Sequence, residues 1–199
     1  MYKNPGSGAI SAIVSRKFGP DGSYLWQYRL RGDSTGNVVG EVNRKFGAFK
    51  GGKEIESIAV DDALGFVYYS DEGFGVHKYY ADPDSSNVEL SLFATEGFAE
   101  DHEGISIYTK TDSTGYILVS DQQASLYHIF PREGSPDHPH EHKRIAMIPI
   151  STIESDGSEA TSFPFGDLYP KGFFVAMSAD RTFQIYKWEQ FENFLLQKE

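Results

Sequence analysis

Oxygen-bearing side chains recur at matching places along this chain: Glu56, the pair Asp71 and Glu72, Asp101 with Glu103, Gln122 where an earlier repeat has Glu72, and Asp156. Several hard oxygen donors brought together without thiolates suit Ca²⁺, which takes roughly six to eight oxygens in a flexible shell, rather than zinc or copper. The same acids also suit solvated turns, in a chain with 18 Lys and Arg against 29 Asp and Glu and a net charge of −11. A second cluster, Asp137-His-Pro-His-Glu-His142, has three imidazoles at alternate positions. On a strand they would share one face and could bind a transition metal. Its prolines favour a loop inserted between outer strands, with no metal. His77, His102 and His128 stand singly, and His102, between two acids, reads as a neutral neighbour of any site there.

The charge disfavours nucleic acid or an anionic membrane as the main partner and leaves the acids for solubility or cation binding. The absence of Cys excludes disulfides, thiolate metal sites and a cysteine nucleophile. No segment approaches the ~20 apolar residues of a membrane span, and the first residues, Met-Tyr-Lys-Asn-Pro-Gly-Ser-Gly, carry no apolar run after Lys3. With 39% hydrophobic and 15% aromatic residues in 199, the chain can bury the core of one folded domain.

The acids must be positioned by a repeat. A Gly opens a β-branched and aromatic strand, a polar corner closes it, and a second aromatic strand returns at once. Gly65-Phe-Val-Tyr-Tyr-Ser-Asp-Glu72 with Val76–Tyr80 and Gly115-Tyr-Ile-Leu-Val-Ser-Asp-Gln122 with Leu126–Phe130 are one hairpin twice. Gly172–Ser178 with Phe183–Trp188 and Gly8–Lys17 with Tyr24–Tyr28 are two further copies. Shorter strands precede two of the hairpins (Glu56–Val60, Glu103–Ile107) and follow them (Glu89–Phe93, Ile145–Pro149). Four strands per repeat predict an all-β fold of β-propeller blades, antiparallel four-stranded sheets that bury their faces on one another. A β-sandwich or a solenoid of hairpins is the alternative. The innermost strands would then carry the acids to one end of a channel. Trp26 and Trp188 fall where core packing is the default, and only Glu189–Gln197 reads as helical.

Four stretches, in order, carry a family resemblance: Glu56-Ser-Ile-Ala-Val-Asp through Val76-His-Lys-Tyr, Asp101-His-Glu-Gly-Ile-Ser-Ile-Tyr, Gly115-Tyr-Ile-Leu-Val-Ser-Asp-Gln and Tyr169-Pro-Lys-Gly-Phe-Phe-Val-Ala. The chain resembles the β-propeller phytases from Tyr2 to about Phe191. The resemblance implies a six-bladed ring and a calcium-dependent phosphomonoesterase acting on inositol hexakisphosphate through a calcium-activated water. By it Glu72, Asp101 and Glu103 are catalytic-site carboxylates, and Glu56, Glu72, Asp101, Glu103, Gln122 and Asp156 are calcium ligands. Lys17 is a phosphate-binding Lys, and the compartment is secreted or periplasmic. Bound calcium would let an acidic protein receive a polyanion.

Two departures bear on this. Where the family has a second Asp-Gly after the Asp156 position, this chain reads Thr161-Ser-Phe. The first repeat begins almost at Met1, with no room for an innermost strand, so residues 1–199 are expected to be about four of six blades, without the N-terminal ones. That predicts a chain weak or inactive alone, and leaves a non-catalytic calcium-binding propeller module as the alternative.

Overall fold

The computed structural model describes residues 1–196. Four antiparallel sheets follow one another along the chain. β1 (Tyr2–Lys3), β2 (Ile10–Ser15), β3 (Leu25–Gly32) and β4 (Val38–Phe46) form the first, in that order. β5 (Ile55–Asp61), β6 (Phe66–Asp71), β7 (Gly75–Tyr80) and β8 (Ser91–Phe93) form the second. β9 (His102–Thr109), β10 (Gly115–Asp121), β11 (Leu126–Pro131) and β12 (Ala146–Pro149) form the third. The last has three strands among the described residues: β13 (Ser158–Thr161), β14 (Phe173–Ser178) and β15 (Thr182–Lys187). β15 runs directly into a helix, α1 (Trp188–Leu196).

The sheets are propeller blades, and they do not close into a ring. Each inner strand packs beside the next, β5 on β9 and β9 on β13, although the sheets share no ladder. Because successive side chains on a strand point to opposite faces, a blade between two others must be apolar on both. Tyr69 of β6 enters the core under the first blade, with Leu25, Phe46 and Tyr79. Its neighbour Tyr68 enters the core shared with the third blade, with Phe93, Ile117 and Phe130. In the same way Val119 faces back to the second blade, while Leu118 joins Tyr127, Phe174 and Trp188 on the other side. Full burial of each large side chain contributes roughly 1.5–3 kcal/mol, so these three seams dominate the cohesion of the stack.

The helix caps the third seam. Trp188, Phe191 and Leu195 lie at helical spacing on its inner face, and the Trp188 ring stacks on Tyr108 with centroids 3.4 Å apart. The repeat glycine is required by geometry at Gly172, whose φ is +78° and where a Cβ would lie 1.8 Å from the Thr161 carbonyl oxygen. No helix among the described residues is long and apolar enough to cross a membrane.

Two expectations need correction. The first repeat does have an innermost strand, the two-residue β1, because Tyr2 and Lys3 reach far enough to pair with Ser11 and Ile10. Strands β4 and β13 escaped the sequence pattern. In β4 Val38, Val39 and Val42 are exposed and Gly40 and Asn43 interrupt the run, so neither alternation nor an apolar block marks it.

Candidate functional site

The innermost strands of the second and third blades contain the same irregularity. On β5, Glu56 and Ser57 together oppose Ser70, between the pairs Ile55 with Asp71 and Ile58 with Tyr69. On β9, Glu103 and Gly104 oppose Ser120, between His102 with Asp121 and Ile105 with Val119. Two residues against one is a β-bulge, which bends the strand and re-aims its side chains. Ser57 N–H donates to Ser70 Oγ at 2.9 Å inside the first bulge, and Ser57 Oγ accepts Ile105 N–H at 2.9 Å from the next blade. At the second bulge a side chain on residue 104 would place its Cβ 2.6 Å from the Asp156 carbonyl oxygen. Glycine therefore lets the lead-in to β13 approach Glu103.

The second bulge and two adjoining loops deliver acids to one place. Ligand oxygens of Glu72, Asp101 and Glu103 lie within 4.8 Å of one another, the one such group of His, Cys, Asp and Glu among the described residues. Glu72 comes from the β6–β7 corner, Asp101 from the loop before β9 and Glu103 from β9 itself. Burial pushes the Glu103 carboxyl up to about 8, reinforced by the negative charges of Glu56, Asp156, Glu72 and Asp101. Burial and the charges of Glu72, Glu54 and Asp156 also raise Glu56. Six carboxylates thus take part in this repulsion, with oxygen as the donor atom throughout. That donor set suits a hard divalent cation, which Glu72, Asp101 and Glu103 could hold, with Glu56 and Asp156 nearby.

Side-chain amides link the acids of successive blades. Gln122 Nε2 donates to Asp156 Oδ1. Gln123 Nε2 donates to Gln122 Oε1 at 2.9 Å and to Asp101 Oδ2 at 2.8 Å, while Asp101 N–H donates to Gln123 Oε1 at 3.0 Å. Gln123 was not singled out from sequence, and only its place beside Gln122 marked it. Lys17 pairs with Glu54 on the rim of a cavity of about 640 Å³ that Lys53, Glu56 and Glu72 also line. Lys53 was likewise missed. Its ammonium pairs with Asp101 and lies 3.4 Å from Glu72. The Lys50-Gly-Gly-Lys53 run just ahead of β5 was the available signal.

A layer of aspartate and histidine lies behind the cluster. Asp71 meets His77 Nε2 at 3.2 Å and accepts Lys50 N–H at 2.6 Å, and Asp121 meets His128 Nε2 at 3.1 Å and accepts Ala99 N–H at 3.1 Å. Each pair fixes the loop that enters the innermost strand of its own blade. Phe98 stacks between His102 and His128, and burial keeps His102 below its ordinary pKa.

The histidines of the 137–142 run do not converge. The segment is a loop, His140 packs edge-on against Phe66, and His142 donates through Nδ1 to the Pro131 carbonyl at 2.8 Å. His142 Nε2 accepts from Lys78 Nζ at 3.1 Å, and burial together with that ammonium pushes its pKa down to about 4. A larger cleft of about 780 Å³ beside this loop contains none of the clustered acids.

Among known proteins, this chain is similar to the 3-phytase of Bacillus subtilis (strain 168), with 26% identity over 213 aligned residues. The alignment takes in 98% of this chain and 52% of the relative, so the chain spans about half the length of the curated relative it matches. The Phytase family model matches residues 1–198, which takes in every blade and both bulged strands, and the chain belongs to that family.

Proposed function

We propose that this chain forms part of a calcium-dependent phytase, in which a phosphomonoester of inositol hexakisphosphate is hydrolysed at the Glu72–Asp101–Glu103 cluster. The observation that carries this reading is the convergence of those three carboxylates from adjacent blades in a member of the Phytase family. Calcium, when bound, supplies charge neutralisation of the phosphate and lowers the pKa of coordinated water. The chain's own residues do the rest. Glu72, Asp101 and Glu103 hold the cation, Glu56 and Asp156 add oxygen donors, and Gln122 and Gln123 orient Asp156 and Asp101. Lys17, released from Glu54, meets the phosphate on the cavity rim. Under this reading residues 1–199 are a partial propeller domain, the substrate is phytate rather than nucleic acid or membrane, and the site works in a secreted or periplasmic setting. The test is phosphate release from phytate with millimolar calcium and with chelator. Calcium-dependent release that Glu72→Gln abolishes supports the reading, and release insensitive to chelator sinks it.

A second reading, a calcium-binding module without catalysis, is favoured by the state of the cations lining the cavity. Lys17 and Lys53 are both committed to carboxylates. A preorganised donor at the transition state is typically worth ~10²–10³ in rate, so a site short of free cations turns over slowly. Weak phytate hydrolysis by the isolated chain, beside normal calcium binding, distinguishes this reading.

A further inference from the structure

Lys53 is not a casual surface lysine. Its loop is tied to the corner that carries Glu72 by three hydrogen bonds. Lys50 N–H donates to Asp71 Oδ2 at 2.6 Å, Glu72 N–H to the Glu54 carbonyl at 3.0 Å, and Glu54 N–H to Glu72 Oε2 at 3.2 Å. Gly51 permits the close approach, since a Cβ there would lie 2.5 Å from Asp71 Oδ1 and 3.2 Å from the Glu72 carbonyl oxygen. Backbone and ammonium therefore address the same carboxylate. The ammonium then reaches the next blade and pairs with Asp101, which comes from a loop in the third blade 48 residues on. The Lys53 side chain is about half exposed, whereas those of Glu72 and Asp101 are 14% and 12% exposed. A monovalent cation on a fixed tether thus enters a mostly buried acidic cluster from its solvent side.

We infer that Lys53 is a built-in counter-ion that occupies the mouth of the Glu72–Asp101–Glu103 cluster and competes with the divalent cation for it. This rests on the proposed calcium site and deepens it. The physical argument is one of charge. Glu72, Asp101 and Glu103 repel one another with Glu56 and Asp156 close by, and one tethered positive charge relieves part of that repulsion in the cation-free protein. A divalent ion needs the same oxygens of Glu72 and Asp101, so the ammonium must leave as the ion enters. The attraction lost on leaving subtracts from the affinity for the ion. The lysine therefore holds the two blades together at low calcium and sets the calcium concentration at which the site fills. A lysine suits this role, because its charge is a compact point on a flexible stem that can withdraw without unfolding the loop.

The experiment is calorimetric titration of the purified chain with calcium chloride, for the parent, Lys53→Met, Lys53→Gln, Lys53→Arg and, as a control for net charge, Lys171→Met. Lys171 pairs with Glu192 on the surface of α1. Lys53→Met and Lys53→Gln are expected to lower the calcium Kd about tenfold, the equivalent of one or two surface-type ion pairs. The cation-free Tm of both falls, and calcium widens their thermal shift. Lys53→Arg keeps the charge and stays near the parent, and Lys171→Met stays unchanged. Equal affinity in parent and Lys53→Met, or weaker binding in Lys53→Met and Lys53→Gln, overturns the counter-ion and leaves the calcium site standing. The weaker-binding result would mean that the lysine only braces the loop. No calcium binding by any of the five overturns the site and the counter-ion together.

Discussion

Asp121 accepts a hydrogen bond from His128 Nε2 at 3.1 Å, with the roles fixed by a third residue. Arg144 Nη1 lies 2.9 Å from His128 Nδ1. A guanidinium has no acceptor, so Nδ1 must present its lone pair and Nε2 must carry the proton. Burial keeps the imidazole below its ordinary pKa, in keeping with this neutral form. Both oxygens of the Asp121 carboxylate accept Ala99 N–H, at 3.2 and 3.1 Å, two residues before Asp101. The third strand of the blade, β11, thereby braces the loop that carries Asp101.

Replacing Asp121 with Ala is expected to destabilise the chain by about 1–3 kcal/mol, because His128 and Ala99 N–H lose a buried acceptor. Calcium affinity should fall with it as the Asp101 loop loosens. Urea titration gives the first quantity and calorimetry the second. A variant that loses stability but binds calcium as the parent does would confine Asp121 to a packing role.

Calcium should raise the melting temperature. At one hundred times the dissociation constant the gain is about 2.7 kcal/mol. Glu103→Ala should shrink the shift. Glu192→Ala should not, since Glu192 lies in α1, on the surface, where it pairs with Lys171. Superimposable melting curves with calcium and with chelator would count against a bound cation.

The pH dependence of the calcium-free protein should bear the mark of Glu103. Burial pushes its carboxyl up to about 8 in the folded chain, from an ordinary 4.5, so the native state binds the proton more tightly than the unfolded one. Its contribution to stability is full below about 4.5 and is lost as pH rises through about 8. Relative to Glu103→Gln, the parent should therefore lose Tm steadily across that window, while the buried histidines cancel in the comparison. Parallel Tm profiles for the two proteins would show that neither burial nor the neighbouring carboxylates raise Glu103.

The second and third blades are locked by Arg132, which reaches Asp61 through Nε at 2.5 Å and Nη2 at 2.7 Å. Both side chains are almost fully buried. Arg132→Met strands the Asp61 carboxylate and should cost about 3–5 kcal/mol. Adding Asp61→Leu should recover much of the loss, because two apolar groups leave no buried charge. If the double variant is no more stable than the single one, the hydrogen bonds from Arg132 to the carbonyls of Thr111, Asp112 and Thr114 carry the effect instead.

By itself the sequence determined the strands of the repeated hairpins, a helix after the last of them (expected from Glu189, one residue later than its start at Trp188) and the residue types available for a hard cation. Each of these is written in short-range patterns: a glycine before an apolar run, a polar corner, a run from Glu189 without a strand's alternation. Strands without such a pattern, β1, β4 and β13, were lost, since they owe their form to a partner strand rather than to their own residues. Tertiary structure alone decided the site. The bulges at Glu56-Ser57 and Glu103-Gly104 are set by the register of β5 on β6 and of β9 on β10, and no local propensity records that. Asp101 meets Lys53 and Gln122 meets Asp156 across gaps of 48 and 34 residues, distances closed by the packing of one blade on the next. Side-chain burial between blades sets those separations, and the burial and mutual repulsion that lift Glu103 follow from them.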